Sequence, residues 1–253
     1  MRLARIRLPD RIATAAIEGD AVRALGGTFF ENPVPTGEQV ALDDAELLAP
    51  TIPSKVVCIG RNFAAHAEEL GNPVPQEPML FLKPSTAIIG PGDPIPLPAD
   101  AGRVDHESEM AAVIGRLCRR VDPEDIPKYV LGYTCANDVT ARELSKKDGQ
   151  WGRAKGFDGF LPLGPWIETE LDTTDVEVTC RVNGEVRQSG RTSDMTFPPP
   201  QLISFISNVM TLLPGDLVLT GTPAGVRGLE PGDTVEVEVE GIGVLQNPVG
   251  PRV

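Results

Sequence analysis

The 253-residue chain is 41% hydrophobic and 23% charged, a globular balance in a length that suits one large domain or a core domain with a small appendage. Its net charge of −13, from 36 acidic against 23 basic residues, opposes a phosphate backbone and argues against a nucleic-acid partner. No apolar run approaches the ~20 residues that cross a bilayer, and the MRLARIRLPD start lacks the continuous apolar core of a secretory signal, so no membrane association is expected.

Along the chain, Ala4, Ile6 and Leu8 alternate with Arg5 and Arg7, and Glu18-Gly19-Asp20 reads as a turn before Ala21-Val22. Residues 47–54, with prolines and no period, read as a linker. It divides a small N-terminal domain, 1–53, from a main domain, 54–253. Lys55–Gly60 follows as a strand. Asn62–Leu70 is alanine-rich, opens on a capping asparagine and stops before Gly71, which predicts a short helix.

Met79–Lys83, Glu107–Gly115 and Val130–Asn137 read as strands, and a helix is predicted from Asp138 through Leu144. Val176–Val182 alternates and runs into Asn183-Gly184, a hairpin signal. Leu202, Phe205, Ile206, Val209, Met210 and Leu213 fall at helical spacing and predict a helix over 200–213. Asp216–Thr220 and Thr234–Glu240 return to strand. Strands outnumber helices without regular alternation, so the fold class is α+β with a large mixed sheet system, against a doubly wound fold or an α/β barrel.

Cys58, Cys118, Cys135 and Cys180 form no C-x-x-C pair. Three of them sit in apolar, strand-like stretches, where a free cysteine acts as a small buried hydrophobe, a pattern that points to a reducing cytoplasm and away from thiolate zinc.

In a strand, Glu107 and Glu109 project to one face. An exposed strand edge explains that pattern by itself. The apolar run after Glu109 and a third carboxylate, Asp138, at the end of another apolar strand favour a buried site. Buried carboxylates side by side repel unless a positive charge lies between them, and a hard divalent cation with oxygen ligands answers that need. Asp138 is equally placed to cap a helix. His66 and Glu69, three residues apart on one helix face, suit a base that activates water; a solvated helix face fits them too. Lys155, in Arg153-Ala154-Lys155-Gly156-Phe157-Asp158, is placed either to neutralise a carboxylate or enolate or to sit in a surface loop. Thr220-Gly221-Thr222-Pro223-Ala224-Gly225 reads as a tight turn that can offer amides and a hydroxyl to an anion.

In series, Gly60-Arg61-Asn62-Phe63-Ala64-Ala65-His66, Phe81-Leu82-Lys83-Pro84-Ser85, Asp105-His106-Glu107-Ser108-Glu109, Asn137-Asp138-Val139-Thr140-Ala141-Arg142, Ala154-Lys155-Gly156-Phe157-Asp158, Pro162-Leu163-Gly164-Pro165-Trp166 and Thr220-Gly221-Thr222-Pro223 resemble the fumarylacetoacetate hydrolase family, from about residue 54 onward. The resemblance implies a β-rich α+β roll with a small N-terminal β appendage, usually a homodimer. It implies Glu107, Glu109 and Asp138 as ligands of Mg²⁺ or Mn²⁺, with Ca²⁺ also compatible. It makes His66 with Glu69 the water-activating dyad, Lys155 an electrostatic partner, and Thr222, Gly221 and Arg61 substrate contacts. Three departures bear on substrate: Phe63-Ala64-Ala65-His66 stands where the family often has Tyr-Ala-Asp-His, Ser145 where some relatives have glutamine, and the connection from Asp138 to Lys155 is shorter than in those relatives.

The leading expectation is metal-dependent C–C cleavage of a small β-dicarbonyl or α-keto acid of acylpyruvate or fumarylacetoacetate type, with oxaloacetate decarboxylation at the same site. The alternatives are an isomerase or tautomerase of 2-hydroxyhepta-2,4-diene-1,7-dioate type in aromatic catabolism, and a non-catalytic metal- or ligand-binding member.

Overall fold

Two mixed sheets carry the chain, and the computed structural model describes residues 1–31 and 33–253 of it. Among the described residues the larger sheet has 12 strands. Its central strand, Ser108–Ile114, is buried throughout, pairing antiparallel with Val130–Asn137 on one side and Leu217–Leu219 on the other. Beyond these lie Val56–Gly60, parallel to Leu217–Leu219, and the edge strand Met79–Lys83. A 5-stranded sheet runs Glu185–Arg191, Glu177–Val182, Thr234–Val239, Gly243–Arg252, Ile95–Leu97. The fold is α+β and β-rich, as the predicted elements require.

Alternation along Ser108–Ile114 sends its side chains to different cores. Ala111 and Val113 pack with Val56, Cys58, Leu161 and Leu219. Ala112 and Ile114 turn the other way, to helix Pro199–Val209 through Leu202, Ile203 and Ile206. Each of those three is fully buried, worth about 1.5–3 kcal/mol apiece. Met110 joins Val178, Val237 and Val239 of the smaller sheet.

The Asn183-Gly184 hairpin forms as predicted: Val182 pairs with Glu185, and φ of 52° and 79° at the two turn residues gives the doubly left-handed turn that Asn-Gly favours. Four expectations are corrected. The helix predicted over 200–213 ends at Val209 and buries Ile203 rather than Val209, which is 59% exposed; Leu212 instead bridges to Cys118. The helix expected from Asp138 starts at Arg142, because Thr140–Ala141 is drawn into pairing with Val104–Asp105. The short helix is Ala64–Glu69, and Asn62 does not cap it; its amide donates instead to the Phe197 and Thr220 carbonyls. Leu47 and Leu48, assigned to the linker, belong to strand Glu46–Leu48, paired with Arg5–Arg7.

The first strands do not stand apart from the main sheet. Arg2–Arg7 pairs with Leu161–Glu168, Arg2 opposite Glu168 and Leu3 opposite Ile167, so the N-terminal strands extend the 12-stranded sheet. Their inner face nevertheless has a core of its own around Ala4, Ile6, Ile17 and Val22.

Candidate active site

Where Ser108–Ile114 meets Val130–Asn137, the two strands open and three carboxylates gather. The ladder starts at Ser108, opposite Asn137, so Glu107 lies one residue outside the strand predicted for it. The Asn137 side chain accepts the Glu107 amide at 2.9 Å, and the Asp138 amide donates to the Glu107 carbonyl at 2.8 Å. These bonds bring Asp138 beside Glu107, while pleating points Glu109 to the same side. Glu107, Glu109 and Asp138 are all buried, with ligand oxygens within 4.8 Å of one another.

Fixed cations surround the trio. Lys155 Nζ donates to Glu107 Oε2 at 2.6 Å and to Asp138 Oδ2 at 2.5 Å. Lys83, fully buried, donates to Asp138 Oδ1 at 2.7 Å and to the Val139 carbonyl at 3.1 Å. Arg142 pairs with both Glu107 and Asp105, and Arg103 holds Asp105 from the other side. Burial pushes Glu107 upward, but Lys155 and Arg142 outweigh it and hold the carboxyl well below the usual range. Burial alone depresses Lys155; Asp138 and Glu107 reverse this and keep it an ammonium. Burial leaves the Lys83 ammonium easier to deprotonate than usual, with Asp138 opposing.

Glu109 is different. Its Oε2 accepts only the Gly221 amide, at 2.6 Å, and it has no ion-pair partner among the described residues. Burial, reinforced by the negative charges of Asp138 and Glu107, pushes it well above the usual carboxylate range. A buried carboxylate in that position calls for a counter-charge. Three hard oxygen donors within reach of one ion fit Mg²⁺ or Mn²⁺, so the residues present suit the ion that the resemblance implies.

The trio floors a cavity of about 700 Å³, with His66, Arg61, Arg142, Lys146, Trp151 and Thr222 among the residues of its wall. His66 is 5% exposed, and burial, aided by Arg142 and Lys155, lowers its pKa against the pull of Glu107 and Glu69, which favours the neutral, basic ring. Its Nδ1 lies 3.6 Å from Glu69 Oε2, outside hydrogen-bond range, and has no partner among the described residues. Glu69 Oε2 accepts the Gly225 amide at 3.0 Å, and Arg227 stands 3.5 Å from Oε1.

The remaining residues named from sequence divide. Arg61, held at a positive φ of 59°, faces the cavity with no ion-pair partner among the described residues, as does Lys146. Thr222 lines the cavity, and its hydroxyl donates to the Ser108 carbonyl at 2.8 Å and accepts from Gln188 Nε2 at 2.8 Å. Gly221 is not in the wall: its amide is given to Glu109, and a Cβ there would fall 2.7 Å from that of Asn62. Its amide lies beneath the carboxylate. Lys83, whose one sequence signal is a lysine closing four apolar strand residues, joins the site unannounced, as do Arg142, Asn137 and Gln188.

A cavity with convergent charged groups of this kind is a candidate site for a small molecule. Residues 55–250 match the family described as fumarylacetoacetate (FAA) hydrolase C-terminal, and the chain belongs to the fumarylacetoacetate hydrolase family. Residues 1–50 match a second description, Rv2993c-like, N-terminal. Protein Rv2993c of Mycobacterium tuberculosis is 50% identical, with 98% of each chain covered. The mitochondrial oxaloacetate tautomerase Fahd2a of Rattus norvegicus is 44% identical over 80% of this chain and 68% of its own. The crystal structure of a 5-carboxymethyl-2-hydroxymuconate delta-isomerase from Mycobacterium smegmatis superposes with a TM-score of 0.94 at 52% identity, covering 100% of both chains.

Proposed function

We propose that this enzyme interconverts keto and enol forms of a small 2-oxo dicarboxylic acid, with Glu107, Glu109 and Asp138 holding Mg²⁺ or Mn²⁺. One observation carries the reading: a buried carboxylate trio, with Glu109 lacking any cation, floors a cavity whose wall holds Arg61 and Lys146 without ion-pair partners among the described residues. The floor fits a divalent ion, and the two free cations fit the carboxylates of a diacid. Relatives named as an oxaloacetate tautomerase and a hydroxymuconate isomerase move protons along such skeletons.

Bound at the trio, the ion supplies Lewis-acid polarisation of the substrate's oxygens. Neutral His66 takes the proton from the carbon next to the 2-oxo group. That proton, or one from solvent, ends on the oxygen, so the step is balanced without water being consumed. Lys155, kept cationic by Glu107 and Asp138, stabilises negative charge as it develops on that oxygen. Arg61 and Lys146 orient the carboxylates.

The assay follows the loss of oxaloacetate enol absorbance above the metal-catalysed background, with Mg²⁺ or Mn²⁺ and then with chelator. Metal-dependent turnover is expected, and His66→Ala is expected to lower kcat about 10²–10⁴-fold, the range for a general base. Turnover indifferent to chelator, or to Glu107→Gln, would overturn the reading. Hydrolytic C–C cleavage of an acylpyruvate is the second reading. It is favoured by Glu69 lying 3.6 Å from His66, one small shift from a water-activating dyad, and release of pyruvate in a parallel assay distinguishes it.

A further inference from the structure

The smaller sheet reaches the acidic floor through one side chain. Gln188, on the edge strand Glu185–Arg191, is 1% exposed. Its Oε1 accepts the Ser108 amide at 3.0 Å, lies 3.3 Å from the Ser108 hydroxyl and 2.8 Å from His106 Nδ1. An amide oxygen only accepts, so His106 carries its proton on Nδ1 and donates it. The other half of the carboxamide, Nε2, donates to Thr222 Oγ1 at 2.8 Å and to the Pro223 carbonyl at 2.7 Å.

His106 and Ser108 flank Glu107. Thr222 and Pro223 follow Gly221, whose amide holds Glu109, and Thr222 itself returns to the Ser108 carbonyl. Backbone contact tightens the same junction: a Cβ on Gly190 would fall 2.6 Å from Pro223 Cβ, and one on Gly225 would fall 2.0 Å from the Arg187 carbonyl oxygen. The edge strand therefore abuts the turn, and Gln188 closes the seam by bonding in both directions. Only a carboxamide offers an acceptor to one side and two donors to the other.

We infer that Gln188 is a positioning residue of the acidic floor: its carboxamide locks the chain on both sides of Glu107 to the turn that carries Gly221 and Thr222, and so sets the spacing of Glu107 and Glu109. The inference rests on the metal-site reading above. Groups behind metal ligands characteristically change affinity or activity about 10–100-fold.

The test is Mn²⁺ binding by calorimetry to metal-stripped full-length protein, with thermal melting of the same samples. Gln188→Met keeps length and bulk but no hydrogen bonds; Gln188→Asn keeps the amide one methylene short and serves if the methionine variant does not fold. Val182→Ala, in the neighbouring strand at its Asn183-Gly184 hairpin end, is the control for general loosening of the sheet. The expected result is a Mn²⁺ Kd raised at least about tenfold in the Gln188 variants and unchanged in Val182→Ala. Unchanged affinity in the Gln188 variants, or an equal weakening in Val182→Ala at similar melting loss, overturns the inference and leaves the metal site standing. A wild-type protein that binds no Mn²⁺ overturns both, before any variant is made.

Discussion

Of the three carboxylates at the cavity floor, Glu107 and Asp138 each meet an ammonium, whereas Glu109 meets one backbone amide. The consequence for the metal-free protein follows from linkage. Glu109 titrates well above its ordinary range in the fold, through burial and then its negative neighbours, and near about 4.3 when unfolded. At low pH both states hold the proton and Glu109 contributes nothing. As pH rises past the unfolded value, the unfolded chain ionises first, so Glu109 costs stability, increasingly until its folded pKa is passed. Glu109→Gln is therefore expected to melt higher than wild type at neutral pH in chelator, the gap closing toward pH 4, and to lose Mn²⁺ binding. A gap that widens on acidification would contradict this. The pairing of Glu107 with Glu109 was readable from the sequence, since alternation puts residues two apart on one face; Asp138, on another segment, joined them as a ligand only through the family resemblance. Lys83 was not, because nothing local distinguishes a lysine that leaves a strand for solvent from one turned inward to a carboxylate. Gln188 and Asn62 were hidden for the same reason: the partners of Gln188 are 34 to 82 residues away and those of Asn62 are 135 or more.

Among the elements, the hairpin at Asn183-Gly184 and the buried central strands were legible because turn chemistry and unbroken apolar runs are local signals. The helix after Asp138 begins at Arg142, later than its local sequence suggests, since a two-residue ladder with Val104–Asp105 claims Thr140–Ala141. The turn after Leu217–Leu219 was visible as a turn, but not its function of linking the floor, the edge strand and the helix Ala64–Glu69. Gly225 tests that linkage. It sits at φ +105° with the Arg187 carbonyl where a side chain would go, and its amide holds Glu69. Gly225→Ala is expected to cost about 1–3 kcal/mol in backbone strain alone, lowering the melting temperature by roughly 5 °C or more. An unshifted melt would show that the turn relaxes freely.

For the molecule as a whole, packing explains the chemistry of its thiols. All four cysteines are free and buried, and burial pushes Cys135 and Cys180 up to about 12; Cys58 and Cys118 move the same way for the same reason. A disulfide-exchange reagent at neutral pH is expected to find no reactive thiol in the native protein and four after denaturation. Rapid reaction of any one would show that its strand opens. The α+β class was legible from the order of elements, but the continuity of the N-terminal strands with the main sheet was not, because Arg2–Arg7 finds its partner at Leu161–Glu168, far along the chain.

The cavity's two kinds of lining have different origins. The carboxylates stand at the ends of central strands that are packed on both faces, while Ser145, Lys146, Gln150 and Trp151 come from the short helices and connection over residues 142–155. Sequence can drift at the cavity-facing positions between the fixed Arg142 and Lys155 at little expense to the cores, whereas the floor tolerates almost no change. Such a division gives evolution a fixed reaction head and an exchangeable selector, so descendants of one ancestor can come to recognise different acids without reinventing the proton chemistry.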